Sequence, residues 1–211
     1  MKLVKIIIAG IVGGILIFMW AFVAHMFLPI GHWGVQSVPV AGNAAIQTAI
    51  GDNMHREGLY FYPGVEDMDK TMMDPAAHAA YEETYKAGPS GIIIVVPKGE
   101  GSFTPNKLIR EFLTDVAAAI LGALLVFWGV DRSSLFRTFG MSLAMGLMAW
   151  FLISTSYNIW YRFPRDMIIG EGITESVGFA IAGIGFYIVS LFFKRKMVRK
   201  TDLDSGAVAN G

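Results

Sequence analysis

Six side chains of a largely apolar chain could do chemistry together: His25, Asp115, Asn158, Arg162, Glu171 and Glu175, with Glu111 one helical turn before Asp115. They supply an imidazole, carboxylates, a guanidinium and a carboxamide. Such a set can ligate a cation, pass protons or meet an anionic headgroup. Two carboxylates within reach of one His could hold Zn²⁺ or a harder divalent ion. No His-x-x-Glu-His type spacing supports that reading. A proton relay through Asp115, Glu175 and His25 would need an acidic group deeper in an apolar segment, and none is there. Asp115 raises the sharpest question. It opens "LTDVAAAILGALLVFWG", which reads as a membrane-spanning helix, and a carboxylate at mid-membrane costs roughly 2.5–3.5 kcal/mol on insertion scales.

The elements that must position these groups follow from hydropathy. The 211 residues are 54% hydrophobic and 16% charged, and the apolar residues fall in four blocks: 6–28, 112–130, 138–157 and 173–193. Each has about the 20 residues that a helix needs to cross the hydrocarbon. The first is too long for the apolar region of a signal peptide, and His25-Met26-Phe27 makes a poor cleavage site, so it reads as an uncleaved span. With no Cys there is no disulfide framework and no thiolate chemistry. Lys plus Arg equals Asp plus Glu at 17 each, which gives no reason to expect a nucleic-acid partner.

Lys2 and Lys5, Arg132 and Arg137, and the cluster "KRKMVRK" flank the spans on one side, which the positive-inside rule makes cytoplasmic. The sequence therefore predicts a membrane all-α protein, a four-helix transmembrane bundle with both termini cytoplasmic, in a bacterial inner membrane. A small α/β extracytoplasmic cap lies between helices 1 and 2, in the periplasm. The expected divisions are 1–30 for helix 1, 31–104 for the cap, 105–193 for helices 2–4, and 194–211 for a basic cytoplasmic tail whose polar end, "TDLDSGAVANG", is expected to be irregular.

Within the cap, "GNAAIQTAIGDNMHREG" has helical spacing and "GLYFYPG" is a short strand. "DPAAHAAYEETYKAGPSG" is a helix with Asp74 as cap and Pro75 in its first turn, and "GIIIVVPKG" is a second strand. A right-handed crossover would make the strands parallel. Thr104 and Pro105 begin a helix that runs without a break into the second span.

Helices in lipid associate through small residues and polar contacts. Stripes at spacings of three and four run through Gly10, Gly14, Ala21 and His25, and through Glu111, Asp115, Ala118 and Gly122. Two more run through Gly140, Ala144, Leu147, Phe151, Ser154 and Asn158, and through Glu175, Gly178, Ala182 and Gly185. Gly10, Gly14, Gly122, Gly178 and Ala182 are the expected helix-packing positions. All four stripes end in a polar group on the outer side, so Asp115 can point into a shared polar layer, with His25, Asn158 or Arg162 as partner.

The blocks "FLPIGHWGVQSVP", "GLYFYPG", "GPSGIIIVVPKG", "TPNKLIREFLTDVAAAILGALLV" and "ISTSYNIWYRFP" together resemble an uncharacterised family of bacterial four-span integral membrane proteins with no established activity. The resemblance implies architecture and no mechanism. The family pattern is acidic where His32 stands, so it implies no metal role for His32.

The remaining motifs have plain readings. His32 with Trp33, and the aromatics of "YNIWYRFP" around Arg162, suit an interfacial belt. His55 and His78 fall on expected cap helices and read as solvated. Bis-His haem needs two facing His on spans and only His25 lies on one, so haem is not expected. There is no G-x-S-x-G, no P-loop and no EF-hand spacing in "EDMDK". The expectation is a structural, accessory or assembly protein, not an enzyme, with no predicted cofactor. It acts through helix faces and a cap, in a homo-oligomer or another membrane complex, with the lipid bilayer as its solvent. The alternative is an enzyme or sensor that binds a divalent metal or small ligand at the polar layer.

Overall fold

The computed structural model describes residues 2–96, 101, 103–129 and 134–208, with backbone alone for 195–208. Arg132, one of the orienting basic residues, lies outside the described residues. The chain divides into two compact units: Met1–Val35, Phe103–Ile159 and Phe163–Gly211 make the first, and Gln36–Ser102 with Trp160–Arg162 the second.

The first unit is helical. It comprises α1 (Lys2–Met26), a 3₁₀ turn at Pro29–His32, α5 (Pro105–Gly129), α6 (Leu135–Ala149), a π-turn at Trp150–Ser154, α7 (Thr155–Tyr161) as far as Ile159, and α8 (Arg165–Val208). Four stretches are long and apolar enough to cross a membrane: Lys2–Met26, Pro105–Trp128, Leu135–Tyr161 and Arg165–Lys194. Local chemistry sets their starts. The Thr104 hydroxyl accepts from Lys107 N–H at 3.4 Å, and the Ser134 hydroxyl accepts from Arg137 N–H at 3.3 Å. α5 runs unbroken from its polar first turns into its apolar part. α8 starts just after Pro164, earlier than hydropathy places it, and continues to Val208. The tail expected to be irregular is therefore helical through residue 208, since no Pro interrupts it.

α8 is the hub, and it packs against α1 and α6, while α5 packs against α1. Fully buried Phe186 lies at the centre, within reach of Gly13 of α1 and Gly122 of α5, with Ala9, Ala119, Ala123, Val126 and Ala182 around it. α1 and α5 touch backbone to backbone. A Cβ on Gly14 would lie 2.5 Å from Val116 Cα, and one on Gly10 would overlap Ile120. Such contact is open only to small residues, the kind of packing by which helices associate in lipid.

On its other side α8 meets α6, along Thr138, Ser142 and Gly146, all buried. A Cβ on Gly146 would lie 2.8 Å from Ser176 Cα, and one on Gly183 would lie 2.8 Å from Ser142 Oγ. The α6 stripe expected from sequence is thereby corrected. Gly140, Ala144, Leu147 and Phe151 face outward, and Ala144, Leu147, Met148, Phe151 and Leu152 line a shallow apolar groove. Two rows of small residues lie side by side on α6. The row with hydroxyls is inside because the α8 glycines admit it.

The second unit holds α2 (Val40–Asn53), β1 (Gly58–Tyr62), α3 (Met68–Met73), α4 (Pro75–Ala87) and β2 (Gly91–Val95). The Asp74 carboxylate accepts from Ala76 N–H at 2.8 Å and Ala77 N–H at 3.3 Å, and so caps α4. Asp67 caps α3 in the same way, accepting from Lys70 N–H at 2.9 Å. The strands are antiparallel, with Tyr60 opposite Ile93, which corrects the parallel pairing expected from a single crossover helix. Two helices that pack on each other, α3 and α4, connect the strands, and this helical pair returns the chain in the opposite sense.

Candidate functional site

Asp115 stands on the side of α5 that is partly covered by its neighbours. Its Oδ2 is shielded from solvent and has no hydrogen-bond partner among the described residues. It lies within electrostatic range of Glu111, one turn earlier on α5, and of Glu175 on α8. Glu175, also half-buried, is in range of Glu171, Glu111 and His25. The structure thus gathers four carboxylates and one imidazole from α5, α8 and α1.

His25 supplies the imidazole of this group, but its ring is turned to its own helix. Nδ1–H donates to the Ala21 carbonyl at 2.9 Å, and Gly31 of the 3₁₀ turn lies against the ring. Asn158 is engaged by a backbone contact. Asn158 Nδ2–H donates to the Phe163 carbonyl at 2.6 Å, and Phe163 N–H donates back to the Tyr157 carbonyl at 3.4 Å. These two bonds close the end of α7, and Arg162 between them takes the left-handed conformation at φ 55°. Its guanidinium lies 5.9 Å from the centre of the Tyr85 ring. Among the described residues the only ion pair joins Lys86 to Glu82 at 3.6 Å, so neither Arg162 nor His25 pairs with a carboxylate there.

Chemically, the group is an acidic patch between helices with one shielded acceptor oxygen. It can accept hydrogen bonds or balance a small cation. Among the described residues, no three His, Asp or Glu side chains are arranged to hold a metal ion.

Sequence reasoning did not single out two tryptophans that organise this end of the unit. Trp20 of α1 donates its indole N–H to the Thr174 carbonyl at 3.0 Å, and Trp150 donates to the Ile168 carbonyl at 2.7 Å. The Trp150 ring also fills the space beside Gly172. An indole whose body is packed must find an acceptor for its N–H. That signal was present, but nothing in the sequence names the acceptor. Tyr157 of the same unit is exposed.

No family model matches the chain, and neither a curated protein nor a solved structure shows detectable similarity to it.

Proposed function

We propose that this chain is an integral membrane protein of structural or accessory type, with four spanning helices, both termini cytoplasmic and the second unit on the outer side of a bacterial inner membrane. It offers helix faces and a folded outer unit to other subunits, its own copies included. The observation that carries this reading is the α8 contact surface. Its two sides are filled by Gly, Ala, Ser and Thr set against the backbones and small side chains of α1 and α6. These side chains serve helix contact, and large apolar residues such as Ile11, Leu121 and Phe151 are left on the outside to face lipid or partner helices.

Two measurements test the reading. Native Cys is absent, so single cysteines report topology cleanly. Glu83→Cys is expected to react with an impermeant maleimide in intact cells, and Lys2→Cys only after lysis; the reverse order would refute the topology. Gentle purification from native membranes is expected to yield a stable assembly larger than the 23.1 kDa chain. Recovery of a monomer alone would refute the role.

The shielded Asp115 Oδ2 favours a second reading, a sensor or enzyme that takes a small cation at the acidic patch. It is supported if Ca²⁺, Mg²⁺ or Zn²⁺ raises the thermal stability of the wild type and not of Asp115→Asn. Equal responses would remove it.

A further inference from the structure

Ile6 of α1, Phe127 of α5 and Phe193 of α8 pack on one cluster with Val189, so the start of α1, the end of α5 and the late part of α8 share one end of the first unit. α6 starts at the same end, because Gly183 of α8 lies against the Thr138 carbonyl and Ser142.

That end carries charge of one sign. Segments 2–5, 135–137 and 194–200 hold eight of the chain's 17 basic residues and no acidic one. Lys2, Arg137 and Lys194 are exposed, and none is in an ion pair among the described residues. Lys5 is half-buried, with Nζ 3.8 Å from the centre of the Phe127 ring.

The apolar side chains beside these charges narrow what they can meet. Leu3 is 68% exposed, Trp128 83% and Phe136 87%. A soluble polyanion offers phosphates and nothing for such groups. A phospholipid offers a phosphate with acyl chains directly beneath it.

α8 extends the charge outward, since its backbone stays helical to Val208. At 1.5 Å per residue, the rise from Lys194 to Lys200 is about 9 Å. That is close to a headgroup layer of roughly 5–7 Å on each side of the bilayer and to a Debye length of about 8 Å. Asp202 and Asp204 come only after that distance.

We propose that this end is a binding surface for phospholipids of net negative charge, with the Lys194–Lys200 segment of α8 as its main contributor. This rests on the membrane-spanning reading above and names a lipid class for one end of it. Ammonium and guanidinium groups bond the headgroup phosphate oxygens, while Leu3, Trp128 and Phe136 meet the acyl chains.

Selectivity in the first lipid shell tests the surface. The full chain is reconstituted in phosphatidylcholine vesicles with a trace of spin-labelled phosphatidylglycerol or, separately, of spin-labelled phosphatidylcholine. The motionally restricted fraction of each label is then read. Phosphatidylglycerol is expected to associate at least about twofold more strongly at about 0.1 M salt, and about equally at about 1 M, where the Debye length falls to roughly 3 Å. Arg195→Gln with Lys196→Gln, Arg199→Gln and Lys200→Gln is expected to lose most of the preference. Arg56→Gln with Lys70→Gln, in the second unit, is expected to keep it. Equal restriction of both labels by the wild type, or a preference that survives high salt or the fourfold change, would overturn the proposal. Equal restriction together with retardation of an RNA oligomer by the chain would assign the charge to a soluble polyanion instead. Both leaflets carry the label, so the readout is the same for either orientation of insertion. A chain that restricts neither label refutes the membrane-spanning reading and this surface with it.

Discussion

Trp150 donates its indole N–H to the carbonyl of Ile168, 2.7 Å away, and lays its ring over Gly172 on the same helix. The residue stands at the first position of the π-turn, where α6 gives way to the α7 segment. One side chain therefore fixes the widened turn of one helix to the start of the next. Removing the hydrogen bond alone, in Trp150→Phe, is expected to cost about 1 kcal/mol. Removing the ring as well, in Trp150→Ala, is expected to cost roughly 3–5 kcal/mol. Thermal unfolding in detergent gives both numbers, and equal losses would show that the ring contributes nothing.

The α6–α8 seam makes a paired prediction. Gly146 faces Ser176 Cα, and a Cβ there would be 2.8 Å from it, whereas a Cβ on Gly140 would meet nothing within 4 Å. Gly146→Val is expected to destabilise by about 1–3 kcal/mol through overpacking. Gly140→Ala is expected to be neutral or to stabilise by up to about 1 kcal/mol, from helix propensity alone. Urea or thermal titration of the two variants checks the order, which reverses if the outer row is the true contact.

Arg162 holds a left-handed backbone at φ 55°. Glycine accepts that conformation freely, while a Cβ there costs roughly 1–2 kcal/mol. Arg162→Gly and Arg162→Ala both lose the guanidinium and its contact with Tyr85. The glycine variant is therefore expected to be more stable than the alanine variant by about 1 kcal/mol. Differential scanning calorimetry of the pair checks this without reference to wild type.

Asp115 keeps one oxygen shielded and unpartnered, close to Glu111 and Glu175. Asp115→Asn removes an ionisable carboxyl from that patch at nearly constant shape. Its stability at neutral pH is expected to match or exceed wild type, and its dependence on salt is expected to be weaker, because there is less repulsion to screen. A loss above about 2 kcal/mol, the scale of a broken charged hydrogen bond, would instead reveal a partner for the carboxylate.

Much of this architecture could be read from the residues, and the exceptions have physical causes. Asp74-Pro75 and Thr104-Pro105 announce their helices because capping is local chemistry. The direction of β2 was hidden, since it depends on whether one helix or two fill the connection, and α3 is short and marked only by Asp67. On α1, Gly10 and Gly14 fit a spacing of four, yet Gly13 is also buried because the helix has two partners, with Phe186 on the second. On α6 the row Gly140–Ala144 looked as good as Thr138–Ser142–Gly146, and the π-turn adds a residue that shifts later positions by about 100°. Of the polar residues, Asp115 and Glu175 are close because helix ends set their depth. Asn158 and Arg162 are drawn off by a turn whose backbone the sequence does not display.

The arrangement of partners also has a consequence in time. A ribosome delivers α1 and then α5, and these two can lock together at once through Gly10 and Gly14. α6 emerges next, with Thr138 and Ser142 on the face that is fully covered only in the finished protein. Its mate, α8, follows it in the chain. Between those two moments α6 carries a row of small residues with no facing helix. A polypeptide interrupted before Arg165 keeps that row uncovered.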